Sequence, residues 1–226
     1  MKITWLGQAG LLFETASARV LIDPYLSDSV AALDPAKHRR FPADLSFLTP
    51  APDFLLFTHD HLDHYDPETV EPLLKGDAPM TVLCPSSVWG KVRKYGGVHN
   101  YVQFDRHSIW TDRGLRFTAV RAVHSDAAAI GFLIDDLAEG KTYYVTGDTL
   151  YSTELFADLP DDIEAIFLPV NGVGNNMNMT DAAEFAHKTH ARYVVPLHFG
   201  LFDRLNMLKF HCPNKVVPVM YHPIFQ

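Results

Sequence analysis

The chain has 226 residues, with twelve histidines against nine lysines and twenty aspartates against seven glutamates. An apolar share of 47% and a charged share of 20% exclude a disordered chain. A formal charge of −8 argues against a nucleic-acid backbone as partner, and no run approaches the ~20 apolar residues of a membrane span. Two cysteines, Cys84 and Cys212, are too few for a disulfide framework and are expected as free thiols. The opening MKITWLGQAG runs into strand-like alternation and lacks the apolar core of a signal peptide. The expectation is one domain over residues 1–226, soluble and cytoplasmic, with no nucleic-acid or membrane partner. A homo-oligomer is left open.

Taken in chain order, Ile3 to Leu6, Gly10 to Glu14 and Val20 to Ile22 read as short strands. Asp23 to Asp53 reads as a long irregular connection holding five prolines and the basic tripeptide His38-Arg39-Arg40. Phe54 to Thr58 is a continuous apolar run, as in a strand covered on both faces. Asp66 caps a helix that starts at Pro67 and runs to about Leu74. Thr81 to Cys84 is a strand, and Ser86 or Ser87 caps a helix reaching Tyr95.

The second half repeats this plan. Val102 to Phe104, Leu115 to Val123, Ala129 to Ile134 and Thr142 to Thr146 read as strands, and Ile163 to Pro169 as a buried one. Thr180 caps a helix to about His190, with Asp181 in its first turn. Tyr193 to Leu197 and Val216 to Met220 are the last strands. Each half starts with antiparallel strands and ends with alternating β and α. The pattern predicts an α/β chain of two face-to-face sheets with helices outside, a four-layer αββα sandwich.

His59-Asp60-His61-Leu62-Asp63-His64 follows the apolar run Phe54 to Thr58. Alternation along an extended segment lets His59 and His61 reach one metal. The turn toward Asp66 can bring Asp63 and His64 to a second. His124, Asp148 and His198 each stand where a predicted strand meets a loop, the usual address of sites in layered α/β folds. The other seven histidines show no partner pattern and are read as non-ligands.

This combination, HxHxDH and then a strand-end His, a Gly-Asp and a strand-end His, resembles the metallo-β-lactamase superfamily. THDHLDHYD, GDTLYS, the run Asn178-Met179-Thr180 and PLHFG are similar to the UlaG-like lactonases, whose named member hydrolyses L-ascorbate 6-phosphate. The resemblance implies an αββα fold and two divalent ions, Zn or Mn with Fe as a further option. It implies that the first ion is held by His59, His61 and His124. It implies too that Asp63, His64 and His198 hold the second, and that Asp148 bridges both. On the same resemblance, Asp23 is expected to support a ligand histidine from behind. A hydroxide shared by the two metals would open a small, anionic (phosphorylated) lactone or ester. Asp63, Asp148 and His198 form the catalytic set, with Asp63 taking the proton. Arg39, Arg40, Tyr151 and Asn178 are the candidate substrate contacts. The rival readings are a phosphodiesterase acting on a small nucleotide or phospholipid-like ester, and a metal-binding protein without catalysis.

Overall fold

The computed structural model describes residues 1–225. Strands β1 (Lys2–Gly7), β2 (Gly10–Glu14) and β3 (Arg19–Ile22) form an antiparallel meander. The sheet continues in parallel through β4 (Phe54–Leu56), β5 (Thr81–Cys84) and β6 (Asn100–Gln103). The second sheet repeats the plan. Strands β7 (Ile109–Asp112), β8 (Leu115–Arg121), β9 (Ile130–Asp136) and β10 (Lys141–Val145) are antiparallel. β11 (Ala165–Pro169) and β12 (Tyr193–Leu197) then add in parallel. β13 (Pro223–Phe225) returns to the first sheet and pairs antiparallel with β1.

The alternation of side chains along each strand decides what the sheets pack against. Phe13 meets Phe167 and Tyr143 at centroid distances of 5.7 and 6.0 Å, and Phe54 meets Phe117 at 5.0 Å. These pairs join the inner faces of the two sheets. Tyr144 points the opposite way and meets Phe185 of α4 (Met179–Thr189) at 6.4 Å. On the far side of the first sheet, Leu55, Phe57 and Val82 pack with Val70 and Leu74 of α2 (Pro67–Leu74) and Val88 of α3 (Ser86–Val92). The layers are therefore helix, sheet, sheet, helix. Cys84 and Cys212 are both buried free thiols. Among the described residues no helix is long and apolar enough to cross a membrane.

Several local expectations need correction. The stretch from Asp23 to Asp53 is not structureless: it holds α1 (Ser29–Leu33) and two 3-10 turns at Pro35–Lys37 and Leu45–Leu48, each capped by an Asp side chain. Neither Ser86 nor Ser87 caps α3; Pro85 occupies that position, and Asp105 instead receives the Ser86 amide at 2.8 Å. The helix itself ends at Val92, and a 3-10 turn carries the chain to Tyr95. Thr180 lies inside α4, whose cap is Asn178, accepting the amides of Thr180 and Asp181 at 2.8 and 3.0 Å. No strand forms over Val216 to Met220, and the last one is β13. β7 is an additional, mostly exposed edge strand turned into β8 through Arg113-Gly114, both at positive φ.

Candidate metal centre

The chain leaves β4 at Leu56 with its next amide still paired, Phe57 donating to the Leu83 carbonyl at 3.0 Å. Thr58 then donates its amide to Asp23 Oδ1 at 2.8 Å and its hydroxyl to Asp23 Oδ2 at 2.6 Å. That buried aspartate, just past the end of β3, fixes where the segment His59 to His64 begins. His64 Nδ1 donates to the same Asp23 Oδ2 at 2.8 Å, which orients the ring and directs Nε2 into the site. Asp66 then receives the Glu68 amide at 3.2 Å and starts α2.

The second sheet supplies the facing residues. His124 follows β8, Asp148 follows β10 and His198 follows β12. Gly147 makes the turn that presents Asp148. Its φ is +61°, and a Cβ there would lie 2.9 Å from both the Ile130 carbonyl and Thr58 Cβ. Glycine is the residue that fits both the backbone angle and the space.

Seven side chains converge as three overlapping groups: His59, His61 and His124; His59, His64 and Asp148; Asp63, His64 and His198. Within each group the candidate ligand atoms all lie within 4.8 Å of one another. His124 Nε2 is 3.1 Å from His61 Nδ1, and His64 Nε2 is 3.0 Å from His198 Nε2. Asp148 Oδ1 stands between, 2.9 Å from His198 Nε2 and 3.4 Å from His64 Nε2. Yet His59 Nε2 is buried and makes no hydrogen bond. Buried polar atoms are ordinarily paired, so this nitrogen, grouped with His61 and His124 on one side and His64 and Asp148 on the other, fits a cation. The donor set is all imidazole and carboxylate, suited to Zn, Mn or Fe.

The electrostatics agree. Burial pushes His59 well below the ordinary histidine pKa, and His64 beside it adds to the effect. Burial also lowers His124. Both rings are thereby kept neutral, the form that can donate a lone pair. Burial opposes a charge on His64, but Asp148, Asp23 and Asp63 outweigh it and hold its pKa well above the ordinary value. Burial would raise Asp63 and Asp148, but His64 and His198 dominate and keep both low. The pocket is built to hold positive charge among ionised carboxylates.

Three further residues shape the site. Gln8, in the turn between β1 and β2, donates from Nε2 to Asp63 Oδ2 at 2.8 Å and lies 2.9 Å from His198 Nδ1. Asn176 donates to Asp148 Oδ2 at 2.8 Å. Asp126 accepts the Asp60 amide at 3.1 Å and the Ser87 hydroxyl at 2.6 Å, tying the histidine segment to α3. Gln8, Asp23 and His198 all sit at left-handed backbone angles, φ 49°, 44° and 60°. Non-glycine residues rarely adopt this region without a surrounding structure that holds them there.

The four candidate substrate contacts lie elsewhere. Arg39 is buried and donates to the carbonyls of Tyr25 and Phe41 and to the Tyr221 hydroxyl. Arg40 donates to the carbonyls of Gly200 and Asp203, bracing the loop behind His198. Tyr151 packs on Phe185 and accepts from Lys188 at 2.7 Å, so it faces α4. Asn178 is the helix cap described above. In each case a structural partner already holds the polar group, and none of the four lines the cleft that opens over the metal centre. That cleft holds about 600 Å³ and is bordered by Asp63, Asp148 and His198 together with α1 and the loop between β11 and α4.

Two facing sheets with strand-end histidines and aspartates gathered at one rim define a metallo-β-lactamase-type domain. Residues 18–199 match the family model of the beta-lactamase superfamily domain, and the chain belongs to that superfamily. Within it the chain belongs to the UPF0173 metal-dependent hydrolases: it is 31% identical over 214 residues to the member from Ligilactobacillus salivarius, covering 89% of this chain and 86% of that one. The fold is also that of Igni18, a metallo hydrolase from Ignicoccus hospitalis, with TM-score 0.77, 17% identity and 98% and 96% of the two chains covered. An isothiocyanate hydrolase from Delia radicum gut bacteria is similar in fold at TM-score 0.74 and 20% identity, covering 99% and 98%.

Proposed function

We propose that this metal-dependent hydrolase works with two divalent cations, one at His59, His61 and His124 and one at Asp63, His64 and His198, with Asp148 shared, and opens a small lactone or ester. The observation that carries the reading is the buried, unpartnered His59 Nε2 at the point where two of the ligand groups overlap. When bound, the cations supply an activated water at neutral pH and polarise the electrophilic oxygen. The protein residues do the rest. Gln8 fixes the rotamer of Asp63 by donating to its carboxylate. We assign to Asp63 the transfer of the water proton to the leaving oxygen. Asn176 and Asp23 hold Asp148 and His64 in register. The likeness in fold to a protein named as an isothiocyanate hydrolase is in keeping with attack at carbon. A phosphodiester substrate is the weaker reading, since Lys37 is the one lysine or arginine among the described residues lining the cleft.

The test is elemental analysis of purified protein combined with turnover on lactone, carboxylic-ester and bis-aryl phosphodiester panels, with Zn and Mn loaded separately. The expected result is two metals per chain, hydrolysis of the carbon substrates, and loss of both rate and metal in Asp148→Ala. Turnover of diesters alone would overturn the lactone reading. Full metal occupancy with no turnover of any panel member would favour a non-catalytic binder.

A further inference from the structure

The cleft over the metal centre has an unexpected lining. Leu33, at the end of α1, is 78% exposed, and Val173, in the loop between β11 and α4, is 63% exposed. They belong to segments far apart in the chain yet border the same cleft. Single exposed apolar residues are ordinary on a protein surface. These two continue a wall made by Val30, Leu62 and Phe202, an apolar cluster separate from both main cores. Phe202 is held edge-on to Tyr25 at 5.7 Å, so the wall is backed by packed side chains.

The charges around this wall do not suit an anion. Outside the metal centre the lining carries Asp34, Asp60 and Asp203 against Lys37 alone. Lys37 is half exposed and lies 3.9 Å from Asp34. Asp60 is paired with Lys91, and Asp203 accepts the amides of Gly200 and Leu205. Arg39 and Arg40 are committed to other partners, as described above. A phosphate or carboxylate on the substrate would therefore meet acidic residues and no bidentate partner.

We infer that the substrate carries an uncharged, apolar body seated against the wall formed by Val30, Leu33, Leu62, Val173 and Phe202, with its ester or lactone group directed at the metal centre. The inference rests on the hydrolase reading above and narrows its substrate. A cleft of about 600 Å³ has room for such a body beyond the reacting group.

The experiment uses metal-replete protein and a series of aryl esters from acetyl to octanoyl, each paired with an acyl chain of matched length ending in carboxylate or phosphate. Burial of successive methylenes is expected to raise kcat/KM about two- to fourfold per carbon until the wall is covered. The anionic counterparts are expected to fall at least about tenfold below the neutral ones, as a buried unpaired charge demands. Leu33→Asp and Val173→Asp, both at exposed positions, are expected to cut the octanoyl rate by a similar factor with metal content and melting temperature unchanged. A flat chain-length series, or anionic esters turned over as fast as neutral ones, overturns the inference and leaves the hydrolase reading intact. No turnover of any ester or of the lactone panel at full metal occupancy overturns both.

Discussion

Gln8 and His198, 190 positions apart, are joined twice: the Gln8 carbonyl accepts the His198 amide at 3.1 Å, and Gln8 Nε2 lies 2.9 Å from His198 Nδ1. The same side-chain nitrogen donates to Asp63 at 2.8 Å. One glutamine thus holds two of the three residues assigned to one cation. Gln8→Ala is expected to weaken that cation by about 10- to 100-fold, the usual cost of losing an outer partner. The His59–His61–His124 group should keep its own. Metal titration followed by elemental analysis reads the difference, and unchanged binding of both cations would remove Gln8 from this role.

Asp23 is 1% exposed and accepts from Thr58 twice and from His64. Asp23→Ala leaves three buried donors without an acceptor. The expected cost is about 3–5 kcal/mol in urea unfolding, in line with breaking a buried charged pair, together with loss of metal. A cost below about 1 kcal/mol, within the range of an ordinary hydrogen bond, would mean that other groups take over its partners.

Gly147→Ala adds a methyl where the Ile130 carbonyl and Thr58 Cβ are each 2.9 Å away, at a backbone angle of +61°. Strain of this kind costs about 1–3 kcal/mol, and the turn must shift to relieve it. Asp148 moves with it. The variant is expected to melt earlier and to hold less metal, while Gly90→Ala, with nothing within 4 Å of its new methyl, serves as the control.

Asp158 lies away from the metal centre and binds Arg106 through two contacts of 2.7 Å, along with the Arg121 amide at 2.9 Å. The Arg106 hydrogen bonds hold its carboxyl well below the ordinary value. A depressed folded-state pKa contributes stability above the unfolded pKa, near ~3.9, that is lost as pH falls through the folded value. Asp158→Asn is therefore expected to be less stable than wild type by about 1–3 kcal/mol at pH 7. The gap should begin to narrow below about pH 4 and keep shrinking as pH falls toward the folded value. Paired denaturation curves at pH 7 and pH 3 check both halves, and a gap that stays constant with pH would contradict the ion-pair account.

The sequence carried the parts of this molecule that are local. The run Phe54 to Thr58 ends in the histidine segment, Asp66-Pro67 starts a helix, and each strand-end ligand stands at the foot of an apolar run. These depend on a few adjacent residues. What failed depended on distant partners. Arg39 looked available in a loop, but the Tyr25 carbonyl and the Tyr221 hydroxyl, one of them 182 positions away, receive its guanidinium. Asn178 and Thr180 are both plausible caps, and the choice between them is set by where the loop from β11 meets α4. Gln8 has no local pattern at all, because its meaning comes from Asp63 and His198.

The placement of the seven convergent residues has a mechanical consequence. Four of them, His59, His61, Asp63 and His64, extend from the first sheet, and three, His124, Asp148 and His198, from the second. Each cation would therefore act as a rivet through both halves of the sandwich, fastened at a rim where side-chain packing ends. A ligand that binds only the folded chain stabilises it by ~2.7 kcal/mol at one hundred times its Kd. Metal supply would then set how firmly the two sheets are clamped as well as whether the chemistry runs, and demetallation would loosen the molecule first at the mouth of its own cleft.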